Sequence, residues 1–193
     1  MKKIWRFVLI FVLVFILGGC VWFFSFATSS RVVSNDKNDY ENYYKFHMES
    51  AFGSDLYLPD VNEVVNNDNF RFKYYEYRQL IFIGFGTVVS EELSQEEFRE
   101  KKEELCKTFT FLNGPIFSSY PQDMIAIPEG NFEFKGYSFN VISGGDYPKK
   151  FSMIAFSEEE NRILYFTYYD QDLDYIDDME DFANEAFPRW NKW

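Results

Sequence analysis

"FSMIAFSEEENRILYFTYY", residues 151–169, decides the fold class. Two runs rich in Ile, Phe and Tyr, FSMIAFS and RILYFTYY, flank the polar residues EEEN. Both runs have the length and the β-branched, aromatic composition of strands, so together they predict a hairpin. Strands joined by so short a turn run antiparallel, because a parallel crossover needs a dozen residues or more.

The segment before it repeats the pattern. In NFEFKGYSFNVIS, residues 131–143, Phe132 and Phe134 lead into a Lys135-Gly136 turn, and Tyr137, Phe139 and Val141 alternate beyond it. ISGGDYP, residues 142–148, joins two strands rather than opening a helix, so its glycines predict a hairpin loop and not a phosphate cradle. Further back, FRFKYYEY at 70–77 alternates Phe70, Phe72 and Tyr74 with Arg71 and Lys73, as a half-buried strand does. LIFIGFGTVV, residues 80–89, makes its antiparallel partner. These are six principal strands.

Three helices are expected around them. DYENYYKFHMESAF, residues 39–52, spaces Tyr40, Tyr43, Tyr44, His47 and Ala51 helically, with Asp39 as N-cap and Gly53 as the stop. SDLYLPDVNEVVNNDN, residues 54–69, reads as irregular or as a short helix. SQEEFREKKEELCKTFTFL begins with Ser94 and Glu97 in capping-box spacing, buries Phe98, Leu105 and Phe109, and stops at Asn113-Gly114-Pro115. Cys106, beside Leu105 in this helix, reads as a small buried hydrophobe. The third helix closes the chain and ends at Pro188. No helix separates the late strands. The order therefore predicts an α+β fold: a mainly antiparallel sheet, helices over one face, and the other face partly wet.

An apolar segment precedes all of this. Lys2, Lys3 and Arg6 stand before an uncharged run from Phe7 to Ala27, whose 21 residues span roughly 30 Å as a helix. The division is a basic tail at 1–6, an anchor at 7–27, a small polar linker at 28–38 and an extracytoplasmic domain at 39–193. The basic N-terminal flank keeps the N-terminus cytoplasmic and exports the domain. A second reading stays open. LGGC, residues 17–20, matches a lipoprotein signal in which Cys20 is lipidated and becomes the new N-terminus. Against it, VWFFSFA continues the apolar run past Cys20. Both readings tether the same domain outside the membrane.

Charge narrows the partners. The chain carries 19 Lys and Arg against 31 Asp and Glu. Three of the cations and none of the acids lie in the first 27 residues, leaving 16 against 31, or −15, beyond them. Such a domain is not expected to bind nucleic acid; a cationic protein or peptide is the complementary partner. Cys20 and Cys106 are the only cysteines, so no disulfide forms within the domain.

The remaining chemistry is weighed residue by residue. TYYDQDLDYIDDMEDF, residues 167–182, places Asp170, Asp172, Asp174 and Asp178 at positions 1, 3, 5 and 9 of a calcium loop. Position 6 is then Tyr175, which resists the positive φ that glycine supplies there, and position 12 is Asp181 rather than Glu. A helix start meets no such obstacle. Leu173, Ile176, Met179, Ala183 and Phe187 share one face, Asp172 or Asp174 caps it, and the early carboxylates favour its positive end. The metal reading is rejected and no cofactor is expected. His47 is the only histidine, which excludes a multi-His centre, and it lies among tyrosines in a packing position.

LYLPDVNEV (56–64) before FKYYEY (72–77), with ILYFTYYDQDLDYI (163–176) before the closing helix, resembles a family of small uncharacterised membrane-anchored or lipoprotein-like proteins of low-GC Gram-positive bacteria. The resemblance covers roughly residues 56–187 and implies a cell-envelope setting, with no activity and no catalytic residues. The expected function is a non-enzymatic binding or accessory module. One alternative is an acidic inhibitor or immunity-type protein that captures a cationic partner. The other is a carbohydrate-active enzyme using paired carboxylates, which stand about 5–10 Å apart in such enzymes.

Overall fold

Seven antiparallel strands form one sheet in the computed structural model, which describes residues 2–27, 30–45, 57–79, 82–114, 116–117, 125–127, 130–145 and 150–170. Its elements are α1 (Lys2–Ala27), β1 (Ser30–Ser34), α2 (Tyr40–Tyr44), α3 (Val61–Asn66), β2 (Phe70–Gln79), β3 (Phe82–Glu92) and α4 (Gln95–Thr108). Then come β4 (Ile116–Phe117), β5 (Ile125–Ile127), β6 (Asn131–Phe134), β7 (Tyr137–Val141), β8 (Lys150–Ser157) and β9 (Arg162–Asp170). The sheet runs β1-β2-β3-β9-β8-β7-β6, and β4 pairs with β5 in a separate two-stranded sheet. The expected six strands are all present. The seventh, β1, lies in the segment expected to be a linker, where Val32 and Val33 continue the antiparallel ladder against Glu76 and Tyr75.

The opening hairpin forms as read: Ser157 faces Arg162 across the four-residue turn. Between β6 and β7, Lys135 and Gly136 both have positive φ, 51° and 80°, the geometry of a type I′ turn matched to the strands' twist. At Gly130 a side chain is excluded, since a Cβ there would meet the Leu112 carbonyl oxygen at 2.1 Å.

One face of the sheet carries the helices. Phe72, Val89, Tyr165 and Ile154 stand in one row across β2, β3, β9 and β8, and pack with Tyr40 of α2, Val64 of α3, and Phe98 and Leu105 of α4. The Ser94 side chain caps α4 and Glu97 returns the bond, as the spacing predicted. This helix stops at Thr108, with Phe109 extended, earlier than Asn113. Its peptide chain turns there toward an isolated bridge between Phe111 and Ile142. Asp39 holds the N-cap position of α2 as expected, but its backbone is already helical and its side chain makes no cap bond; Asp36 caps the short 3-10 turn before it. Asp39 instead accepts a hydrogen bond from the Ser34 hydroxyl at 2.7 Å.

The second face is drier than its sequence suggested. Val88, Phe139, Phe151, Met153, Ala155 and Phe166 are buried there, with Leu112, Phe132, Phe134 and Tyr168 packed against them. All seven residues from Phe151 to Ser157 are buried. An uninterrupted buried run marks a strand covered on both sides, whereas a one-sided strand alternates. Each phenylalanine so buried contributes about 1.5–3 kcal/mol.

Helix α1 stands apart from these cores. Its stretch Ile4–Phe23 has a mean hydropathy of 2.6 and no buried residue, and by length and composition it is long and apolar enough to cross a membrane, as an anchor or a signal segment is.

Candidate functional site

Strand alternation builds the site. Glu91 lies two residues beyond Val89 on β3, so it points to the helix-covered face, between Phe70 on β2 and Ile163 on β9. It is only 7% exposed. The Tyr165 hydroxyl donates to Glu91 Oε2 at 2.7 Å. Tyr57 walls the same corner: its ring lies 4.4 Å from Phe109 and 5.9 Å from Tyr165, centroid to centroid. The Tyr57 backbone N–H donates to Ser152 Oγ at 2.8 Å, which fixes the chain just before α3. Asp60 then caps α3 by accepting from the Asn62 N–H.

The two helices supply a charged rim. Glu63 of α3 and Glu104 of α4 are exposed, and both act electrostatically on Tyr57 and Glu91. Lys101 opposes them, with its Nζ 3.8 Å from Glu104 Oε2. Desolvation pushes the Glu91 carboxyl above its ordinary range, against the Tyr165 hydrogen bond and the Lys101 charge, which pull it down. Burial and the charges of Glu63, Glu104 and Glu91 raise the Tyr57 phenol to about 12. Tyr165 is raised as well, first by burial and then by Glu91. The corner thus has a buried carboxyl floor, an aromatic wall and an exposed rim, with three carboxyls to one ammonium. Chemically it suits a cation that can lie against tyrosine faces while reaching carboxylates.

Two grooves lie elsewhere. One, of about 440 Å³, runs between α4 and the β8–β9 turn, where Lys102 pairs with Glu158 and lies 5.4 Å over the Phe156 ring. Cys106 lines it and is exposed, contrary to its expected burial. It follows Leu105 by about 100° around α4, and Leu105 already occupies the sheet-facing side. The other groove, about 490 Å³, opens where β1 ends and gathers Lys37, Arg71 and Lys73. Lys37 is tied to the Asn67 carbonyl oxygen at 2.8 Å.

The remaining sequence candidates fall as follows. Cys20 lies within α1 and is exposed. Asp170 is the last residue of β9, opposite Gly84. Asp172, Asp174, Asp178 and Asp181, the closing helix, and His47 lie outside the described residues. Among the described residues no group of three or more His, Cys, Asp or Glu is gathered to hold a metal. Sequence reading did not single out Glu91, Tyr57 or Tyr165. For Glu91 the signal was present: the parity of Phe85 and Val89 already sends residue 91 inward.

No protein family, curated protein or solved structure matches this chain.

Proposed function

We propose that this protein is a membrane-tethered, extracytoplasmic, non-enzymatic binding module, held by α1 with its N-terminus in the cytoplasm. The observation that carries the tether is the fully exposed apolar stretch Ile4–Phe23 beside a sheet with its own two buried clusters. Lys2, Lys3 and Arg6 on its N-terminal side set the orientation. The bilayer-spanning form is favoured over lipidation at Cys20, because the helix continues through Cys20 to Ala27. The resemblance to anchored envelope proteins supports the same setting.

The ligand is a cationic protein or peptide, and the corner of Tyr57, Glu63, Glu91, Glu104 and Tyr165 receives one of its ammonium or guanidinium groups. The buried carboxyl of Glu91 beside the Tyr57 and Tyr165 rings, with the exposed Glu63 and Glu104 above it against Lys101 alone, supports this. Titration of the detergent-purified full chain with a lysine-rich peptide tests it. Binding should weaken with salt. Glu104→Lys and Tyr57→Ala should each weaken it about tenfold, equivalent to about 1.4 kcal/mol. Binding that neither salt nor either substitution changes would contradict the site.

The raised Glu91 pKa also favours one second reading. A carboxyl whose pKa is raised by burial is what a glycosidase uses as its general acid. Turnover of a chromogenic glycoside that disappears in Glu91→Gln would replace the binding reading with that one.

A further inference from the structure

We infer that the headgroup layer of the bilayer that anchors α1 is itself a binding surface for the domain, engaged by the corner of the sheet where β1 begins. The inference rests on the tether proposed above. From Ala27, the end of α1, to Ser30, the start of β1, the chain makes three peptide steps, at most about 11 Å. The uncharged run that spans the bilayer ends at Ala27, the last residue of α1, so these three steps begin at the edge of the apolar layer. Ser30 therefore starts its strand close to the headgroups, and no stalk separates the sheet from the membrane.

Strand register then fixes what else is there. Ser30 faces Arg78 and Arg31 faces Tyr77, while β2 ends with Gln79 opposite Phe82 of β3. Lys150 opens β8 at the same end of the sheet, since it faces Tyr169 next to Asp170, and Asp170 faces Gly84. Strand β1 has no acidic residue, β3 has none before Glu91, and β2 has only the buried Glu76. In a chain of net charge −12, the corner nearest the membrane holds the register positions of Arg31 and Arg78, with Lys150 and the one acid of this end, Asp170, farther along among the described strands. Anionic phosphate headgroups complement it, and their attraction acts only within about a Debye length, the distance the short connection enforces. The membrane contact holds the sheet by its β1 edge and turns the opposite end, with Glu91 and the β8–β9 turn, toward the aqueous side.

Depth-dependent quenching tests this. The full chain, with Cys20→Ser and Cys106→Ser, receives a single cysteine at Gln79→Cys or at Glu159→Cys. Each is labelled with an environment-sensitive fluorophore and reconstituted into phosphatidylcholine–phosphatidylglycerol vesicles containing a headgroup-spin-labelled lipid. Quenching should be several-fold stronger at position 79 than at 159. It should fall when Arg31→Glu and Arg78→Glu are combined, and fall likewise for the unmodified sequence in vesicles of phosphatidylcholine alone. Equal quenching at the two positions in protein that floats with the vesicles after alkaline carbonate washing would overturn the inference and leave the tether standing. Quenching indifferent to both charge reversal and lipid charge would overturn the headgroup interaction. Protein that carbonate strips from the vesicles would remove the tether and, with it, this inference.

Discussion

Tyr165 donates its hydroxyl hydrogen to Glu91 Oε2 across 2.7 Å, two residues off the register in which Tyr165 faces Val89. One bond from a phenol does not replace the water that this carboxylate loses on burial, so its proton is held more tightly in the folded chain than in the unfolded one. A raised carboxyl pKa contributes stability that is fully present below the ordinary carboxylate range and is lost as pH rises through the folded value.

Glu91→Gln removes that loss while keeping an acceptor for Tyr165. The variant should be more stable than wild type at about pH 7, with the difference shrinking as pH falls toward the unfolded carboxylate range near 4. Denaturant unfolding of the detergent-solubilised chain across that range measures it. A variant less stable than wild type at neutral pH would mean that Glu91 is a stabilising ion.

Phenols give the opposite end of the pH scale. Tyr57 and Tyr137 are raised to about 12, Tyr57 chiefly by burial and the acids around it, Tyr137 by burial and its hydrogen bond to Glu160. Burial raises Tyr40 and Tyr165 too. Below pH 10 these groups are neutral in both states. Above it the unfolded chain ionises first, so stability should fall steadily from about pH 10 upward. Absorbance of tyrosinate should show some of the 14 tyrosines ionising at ordinary values and Tyr40 and Tyr165 only together with unfolding. Simple titration of every tyrosine near pH 10 in folded protein would contradict the buried placements.

Thr87 and Thr167 face each other across β3 and β9, wholly buried, and neither Oγ1 has a hydrogen-bond partner among the described residues. An unpaired buried hydroxyl costs about 1–3 kcal/mol, whereas valine has nearly the same shape without it. Thr87→Val and Thr167→Val should therefore each stabilise the chain by about 1 kcal/mol in thermal or denaturant unfolding. Loss of stability in both would show that the hydroxyls are satisfied in solution.

Much of this architecture is legible in the chain because short-range rules dictate it. The EEEN turn, the Lys135-Gly136 turn and the Ser94–Glu97 capping box each depend on residues only a few positions apart. Strand β1 was not legible, because SRVVS follows an apolar helix and gains strand character only from its pairing with Tyr74–Arg78. The dry second face was missed for a related reason. FSMIAFS shows that one strand is apolar on both sides, but its cover comes from residues far away in sequence. The candidate corner needs α3, α4, β3 and β9 together, so spacing along the chain could show Glu91 turning inward but not that Tyr165 and Tyr57 meet it there.

The outward-facing tether is tested most directly by Cys106, which α4 exposes while Cys20 lies within the apolar span. Intact cells expressing the protein are treated with a membrane-impermeant maleimide, then compared with cells permeabilised first. The account predicts that Cys106 is modified in intact cells, that permeabilisation adds nothing, and that Cys106→Ser abolishes the label. Modification of Cys106 only after permeabilisation would place the domain on the cytoplasmic side and contradict it.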